Sequence, residues 1–318
     1  MNSLIAIIAG EPNSINSEII SKAYKKGQLK NIFIIGNYSI FKKQVVKLGI
    51  TIPLIKINKL EDFKVGRKLF ILDVPLKFKS IFNVKSPEVK AYIFKCFDVA
   101  HNLAKDKKIQ GFINCPIDKK IFNSKYLGVT EYLAKKNKSK NKEIMLIYNK
   151  EMSVVPLTTH VQIKDVTNKI NFSLIKTKII ALNKNYLKLF KKKPKIAILG
   201  LNPHNSENKT HSVENKIIRP AVIKLKKLSV NIEGPFPADT AFSKQNIISY
   251  DVIVGMYHDQ VLAPFKALYG YDAINLTLGL KYLRASPDHG TAKDIVGLNR
   301  ANPQSLISAI NFLSKIND

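Results

Sequence analysis

The sequence predicts an α/β fold, and three observations carry that prediction. Short apolar runs of strand length alternate with segments patterned for helices; three of those runs close on a histidine; and 318 residues with 45% hydrophobic side chains suffice for one large or two medium domains of this class. The opening run, Leu4 to Ala9, is six residues long, has no basic flank and ends in Gly10-Glu11-Pro12. It reads as a first core strand rather than a signal segment or a membrane span.

The remaining elements follow in order. The stretch after Gly10 is a loop entering an amphipathic helix near Ser17 and Glu18, and the run Asn31 to Gly36 completes a parallel βαβ start. Ile71 to Val74 is a further strand. Ser86-Pro87-Glu88 opens a helix, with Ser86 expected as cap and Val89, Ile93, Phe97, Ala100 and Leu103 at helical spacing. His101 on that helix reads as structural. Gln110 to Asn114 is a strand ending at Cys115-Pro116-Ile117-Asp118-Lys119, and Gly128-Val129-Thr130-Glu131 caps the next helix. Asp251 to Met256 is a buried strand that stops at Tyr257-His258-Asp259. Lys266 is expected after a Pro-bounded loop, Asn275 and Thr277 lie on another apolar run, and Arg284 precedes the turn Ser286-Pro287-Asp288-His289-Gly290-Thr291. Asn302-Pro303 starts a last amphipathic helix whose Leu306, Ile307, Ile310 and Leu313 need a core to cover.

The formal charge of +29 raises the question of nucleic acid, because a dense cationic surface releases counterions from phosphate backbones. Only four of the 52 basic residues are Arg, however, and base and phosphate readers favour the bidentate guanidinium. A solvated lysine surface that steers anionic substrates is the simpler reading, with neither nucleic acid nor membrane as partner. Cys96 and Cys115 are too few and too far apart for a disulfide framework or a cysteine-built zinc site, so a cytoplasmic protein is expected.

The middle of the chain repeats one pattern: MSVVPLTTH ends at His160, KIAILGLNPH at His204 and DVIVGMYHD at His258. In open α/β sheets the carboxyl ends of strands border the ligand crevice. Each histidine alone is ordinarily a strand-end residue bonded to a backbone carbonyl. Together, three imidazoles match a divalent-metal site with an open coordination position. Asp239 and Asp259 stand close by in sequence, to orient imidazoles, join the coordination shell or handle protons, or simply as solvated turn residues. His211, in a polar stretch, reads as a loop residue.

LNPH at 201–204, PFPADT at 235–240, MYHDQ at 256–260, NLTLGL at 275–280 and SPDHGTAKDIVG at 286–297 together resemble the 4-hydroxythreonine-4-phosphate dehydrogenase family of pyridoxal phosphate biosynthesis. GEPNSINSEI near the start, INCPIDKK at 113–120, GVTEYLA at 128–134 and TTHVQIKDV at 158–166 extend the resemblance along the chain. HGTAKDIVG followed by Ala301-Asn302-Pro303 is similar to the nucleotide-binding segment of isocitrate and isopropylmalate dehydrogenases, whose fold that family shares.

The resemblance implies a two-domain architecture, with 1–127 plus 290–318 as one α/β domain and 128–289 as the other, and an active site in the interdomain cleft at a dimer boundary. It implies a homodimer with shared sites, NAD or NADP, and one divalent metal per site (zinc, magnesium or cobalt) held by His160, His204 and His258 from both chains. The family's substrate contacts fall on Thr130, Lys266, Asn275 and Arg284, which supply the donors and charge a small phosphorylated substrate needs. Lys266, Asp239 and Asp259 are the candidates for catalysis. The turn of His289, Gly290, Thr291, Ala292 and Asp294 is the candidate cofactor segment, where glycine permits close backbone approach and a following helix start would present free amides. The implied reaction is oxidation of 4-(phosphooxy)-L-threonine with decarboxylation to 3-amino-2-oxopropyl phosphate. The chain departs from the family at three places: Val129 stands where the family has a substrate-contacting histidine, and both the first loop and the segment after LNPH lack the usual glycines. Val129 is more easily tolerated by the alternative, a relative acting on 4-phosphothreonate or 4-phosphoerythronate; a non-enzymatic basic binding protein is the distant alternative.

Overall fold

The structure is a computed structural model that describes residues 4–29, 31–118, 120–122, 128–139, 142–270 and 272–316; Lys119 and the expected boundary at 127 fall outside them. The chain divides into two compact units, Met1–Lys125 with Lys281–Asp318, and Tyr126–Leu280. The first unit begins with strands β1 (Ile5–Ile8), β2 (Ile32–Gly36), β3 (Leu54–Ile57), β4 (Leu69–Asp73) and β5 (Gly111–Asn114). Helices α1 (Asn16–Lys25), α2 (Tyr38–Lys47) and α3 (Ser86–Lys105) lie between them. The second unit holds α4 (Val129–Lys136), β6 (Ile144–Tyr148), β7 (Ser153–Thr158), α5 (Ile163–Lys169), α6 (Phe172–Phe190), β8 (Ile196–Leu199), α7 (Arg219–Lys227) and β9 (Ile232–Phe236). Two short helices, α8 (Ala238–Ala241) and α9 (Lys244–Ile247), precede β10 (Val252–Tyr257), α10 (His258–Tyr269) and β11 (Ile274–Leu278). The chain then returns to the first unit with β12 (Leu283–Pro287) and α11 (Gln304–Lys315).

In the first unit the strand order is β3-β4-β2-β1-β5-β12, every pair parallel. Parallel strands covered by helices are buried on both faces, so they read as continuous apolar runs, and Ile5, Ala6, Ile7 and Ile8 are all buried. At the end of β1 the chain turns through Gly10, whose φ is +74°; a Cβ there would lie 2.8 Å from the Pro116 carbonyl and 2.9 Å from that of Cys115. No L residue meets both demands cheaply. Asn37 caps α2, its Oδ1 accepting from Ile40 N at 3.0 Å. Helix α3 has Pro87 in its first turn, but Lys85 is its cap and the Ser86 side chain makes no cap bond. His101 is buried, with Nδ1 2.8 Å from the Tyr282 hydroxyl. Helix α11 lays its buried Leu306, Ile307, Ile310 and Leu313 against β12, β5 and α1.

Of the turn expected at 286–291, Ser286 and Pro287 belong to a strand instead: β12 pairs in parallel with β5, setting Arg284 against Phe112, and the chain is back in the first unit from Lys281, ahead of position 290. In the second unit the order is β11-β6-β7-β10-β8-β9. The pairs β7–β10, β10–β8 and β8–β9 are parallel, while β11–β6 and β6–β7 are antiparallel. Lys266 does not follow a loop. It lies on α10, which continues through Pro264 because one missing donor interrupts one intrahelical bond while Val261, Leu262 and Phe265 stay buried in the core. Among the described residues no helix is long and apolar enough to cross a membrane. Cys96 and Cys115 are free and buried, and burial pushes both thiols well up, so neither is a thiolate at neutral pH.

Candidate active site

Sheet order in the second unit explains the histidine pattern. Strand β10 lies between β7 and β8, parallel to both, so the segments bearing His160, His258 and His204 leave three neighbouring strands at the same edge. His160 follows β7 with a φ of 45°, and its ring centroid is 6.0 Å from that of His258. His258 is the first residue of α10; its Nδ1 is 2.6 Å from Asp259 Oδ1, which leaves Nε2 as the free donor atom. His204 is exposed, with Nδ1 4.0 Å from Asp239 Oδ2, and Asp239 Oδ1 accepts from Thr240 N at 3.0 Å. Each candidate carboxylate therefore stands beside one imidazole. Among the described residues no three His, Cys, Asp or Glu side chains of one chain lie close enough to hold a metal ion. The donor chemistry fits a borderline divalent ion, but one chain brings only His160 and His258 together, and a full set needs a donor from elsewhere.

A polar patch adjoins this edge. Thr130, in the first turn of α4, has Oγ1 3.4 Å from that of Thr277 on β11. Asn275 shares that face of β11, since alternate strand residues point the same way, and its Oδ1 is buried without a hydrogen-bond donor. Glu131 Oε1 accepts from Thr159 Oγ1 at 3.1 Å, tying α4 to the residue before His160. A Cβ built on Gly128 would lie 3.5 Å from His160 Cε1, so this segment packs against the imidazole, and Val129 beside it is half-buried. Lys266 is exposed on α10, roughly 12 Å along the axis from His258. Thr130, Asn275 and the pair His160–His258 are thus held by adjoining elements, whereas His204 with Asp239 stands on its own loop and His211 is exposed.

The remaining candidates belong to the first unit. Arg284 is buried and donates from Nε to Asn114 Oδ1 at 2.7 Å, fixing one edge of the guanidinium. In the turn at 289–294, Gly290 has nothing within 4 Å of a built Cβ, leaving its backbone open to a ligand. His289 Nδ1 lies 3.0 Å from the Gly290 carbonyl, and Ile15 N donates to the Thr291 carbonyl at 3.3 Å. Ala292 has a φ of 46°. The expected helix start is only the three-residue turn Lys293–Ile295, so free amides of a full helix are not on offer there. Lys293 is engaged by Asp118.

Sequence reasoning passed over Glu11, which lies in this same unit. It is buried, and burial, against a hydrogen bond from Asn13, pushes its carboxyl up to about 6. The signal was available, for an acidic residue three positions after an all-buried strand has little water around it. A raised folded pKa opposes ionisation, so the penalty is absent below about pH 4.5, grows between there and 6, and is complete above. Glu11→Gln is expected to raise stability at pH 7.5 by up to about 2 kcal/mol and to change it little at pH 4. Urea unfolding of both proteins at the two pH values checks this.

The family model described as pyridoxal phosphate biosynthetic protein PdxA matches residues 28–313. The chain belongs to this family. It is 38% identical to a 4-hydroxythreonine-4-phosphate dehydrogenase from Sulfurihydrogenibium sp. (strain YO3AOP1), over 97% of this chain and 96% of that one. It is 30% identical to a D-threonate 4-phosphate dehydrogenase from Pectobacterium atrosepticum, over 99% of this chain and 100% of that one. Among solved structures, a 4-hydroxythreonine-4-phosphate dehydrogenase from Klebsiella pneumoniae is similar with a TM-score of 0.86 at 27% identity, covering 99% of this chain and 100% of the other. A beta-decarboxylating dehydrogenase from Thermococcus kodakarensis shares the fold alone, with a TM-score of 0.50 at 12% identity over 98% of this chain and 83% of that one. PdxA membership accounts for the α/β fold and its likeness to the decarboxylating dehydrogenases.

Proposed function

We propose that this PdxA-family chain oxidises 4-(phosphooxy)-L-threonine with NAD or NADP and releases carbon dioxide, giving 3-amino-2-oxopropyl phosphate for pyridoxal phosphate synthesis. The observation that carries this reading is the edge of the second unit, where three neighbouring parallel strands lead into His160, His258 and His204, with Thr130 on the helix whose Gly128 packs on His160. We assign the three histidines to one divalent ion, for which zinc or cobalt suits imidazole better than magnesium, with ligands drawn from two copies of the chain, because one chain brings only two imidazoles together. A homodimer in the cytoplasm is the working form.

When bound, the metal supplies Lewis acidity at the substrate's C3 hydroxyl and the nicotinamide accepts the hydride. The chain's own residues do the rest. Asp259, held on His258 Nδ1, keeps Nε2 as the lone-pair donor. Thr130 and Asn275 give hydroxyl and amide groups to the substrate's polar head, and the orphaned Asn275 Oδ1 suits an ammonium donor. Lys266 and Arg284 are assigned the substrate's phosphate and carboxylate. Asp239 and Asp259 are the proton-handling groups, and the turn 289–294 takes the cofactor through the open backbone of Gly290.

Substrate-dependent reduction of NAD or NADP tests the proposal; no reduction with 4-(phosphooxy)-L-threonine, in the presence of each metal, would sink it. A second reading has its own observation. Val129 offers no polar contact, and a D-threonate 4-phosphate dehydrogenase is among the relatives. The same assay run on phosphorylated hydroxy acids without an amino group, 4-phosphothreonate and 4-phosphoerythronate, separates the two.

A further inference from the structure

The loop that carries His204 has an unusual backbone. His204, Asn205, Ser206, Glu207 and Asn208 have φ values of 47°, 54°, 52°, 49° and 58°, a left-handed turn made without a single glycine. L residues disfavour this region because Cβ crowds the following carbonyl, and such a run persists only where its surroundings over-determine it. Here the surroundings converge on one side chain. Glu214 is fully buried, and its Oε1 accepts from Leu201 N at 2.9 Å, Asn202 N at 2.8 Å and Asn202 Nδ2 at 3.2 Å. Its Oε2 accepts from Asn202 Nδ2 at 3.3 Å and Ser206 Oγ at 3.1 Å. The carboxylate therefore grips the chain on both sides of His204. Burial pushes its carboxyl up, but the donors from Asn202 and Ser206 outweigh that and hold it below the usual range, ionised at neutral pH. Gly200 and Asn205 complete the fit: a Cβ on Gly200 would lie 2.0 Å from Asn205 Oδ1, and Asn205 Nδ2 donates to the Pro235 carbonyl at 3.0 Å.

We infer that Glu214 is the positioning residue for His204, holding a glycine-free left-handed turn in the one shape that presents this imidazole to a metal ion. The inference rests on the assignment of His204 as a metal ligand. Without the buried carboxylate the turn relaxes towards ordinary backbone angles, and the imidazole moves with it. Gln in its place keeps the size but turns an amide NH2 towards groups that are themselves donors, so at least one bond becomes a clash of donors.

The test is a titration of metal-stripped, full-length protein with cobalt(II), followed by its visible absorption, for the parent, His204→Ala, Glu214→Gln and Glu18→Gln. Glu18 is an equally buried carboxylate of the first unit that accepts from Ala301 N and Lys22 Nζ, so it controls for loss of stability alone. His204→Ala is expected to lose the high-affinity absorption, Glu214→Gln to bind cobalt on the order of 10- to 100-fold more weakly with an altered band shape, and Glu18→Gln to bind as the parent does. If Glu214→Gln does not fold, Ser206→Ala removes a single contact of the clamp and is expected to weaken cobalt binding several-fold. Parental affinity in the Glu214→Gln or Ser206→Ala protein, with affinity lost in His204→Ala, would overturn the positioning role. Equal weakening in Glu18→Gln would overturn it too, and parental affinity in His204→Ala would instead overturn the metal assignment beneath it.

Discussion

His258→Ala is expected to lose its bound divalent metal and, with it, roughly a thousand-fold or more of turnover, since Lewis-acid stabilisation is worth several kcal/mol and each 1.36 kcal/mol is tenfold in rate. The fold should survive. His258 opens α10 with a partly exposed side chain, and its cap and the buried Val261, Leu262 and Phe265 behind it are untouched, so the change in stability stays within about 1 kcal/mol. Metal content by elemental analysis, thermal unfolding and NAD reduction separate the effects. Full metal occupancy in the folded variant would remove His258 from the ligand set. Asp259→Asn is the informative companion: it keeps the imidazole but exchanges the carboxylate on Nδ1 for an amide, and metal affinity is expected to fall on the order of tenfold.

Val129→His is expected to lower KM for 4-(phosphooxy)-L-threonine roughly ten- to a hundred-fold, with a smaller change in kcat. The basis is local. Val129 is the first residue of α4, half-buried between Gly128, which packs on His160, and Thr130, which meets Thr277. A hydrogen bond to a charged group is worth on the order of 1.5 to 3 kcal/mol, which sets the range in affinity. A different outcome is equally decisive. If the variant leaves turnover of 4-(phosphooxy)-L-threonine negligible while losing activity on a phosphorylated hydroxy acid that lacks the amino group, valine is the fitting residue and the substrate is the hydroxy acid.

Much of this was legible in the sequence because buried parallel strands announce themselves. The runs that became β1, β2, β5, β7, β8 and β10 are largely apolar segments, and the histidines at three of their ends stand out against only six in the chain. Most of the strands that escaped notice lack that signature, although β6, with the sequence IMLIY, carries it in full. Strand β3 is half exposed, β9 contains Gly234-Pro235, and β12 carries a buried arginine and a proline. Nothing near Arg284 in the sequence signals a buried guanidinium, because its partner Asn114 lies on β5, far away in the chain. Pro264 marked a loop in the sequence, yet the apolar face of α10 carries the helix through it. Glu214 was invisible for a similar reason: it sits in the polar stretch after His204, where only the folded loop shows one carboxylate collecting donors from Leu201, Asn202 and Ser206.

The interruption of the first unit by the second bears on how the chain is made. Strand β5 is paired with β1 on one side, but its other neighbour, β12, and the covering helix α11 come only after Lys281. During synthesis, β5 waits roughly 10 to 30 s at ordinary elongation rates with an open edge and apolar surface uncovered. An open strand edge is a template for pairing with other chains. A nascent chain stalled inside the second unit would therefore be a sticky species that chaperones must shield, and the last forty or so residues act as the clasp that ends this exposure.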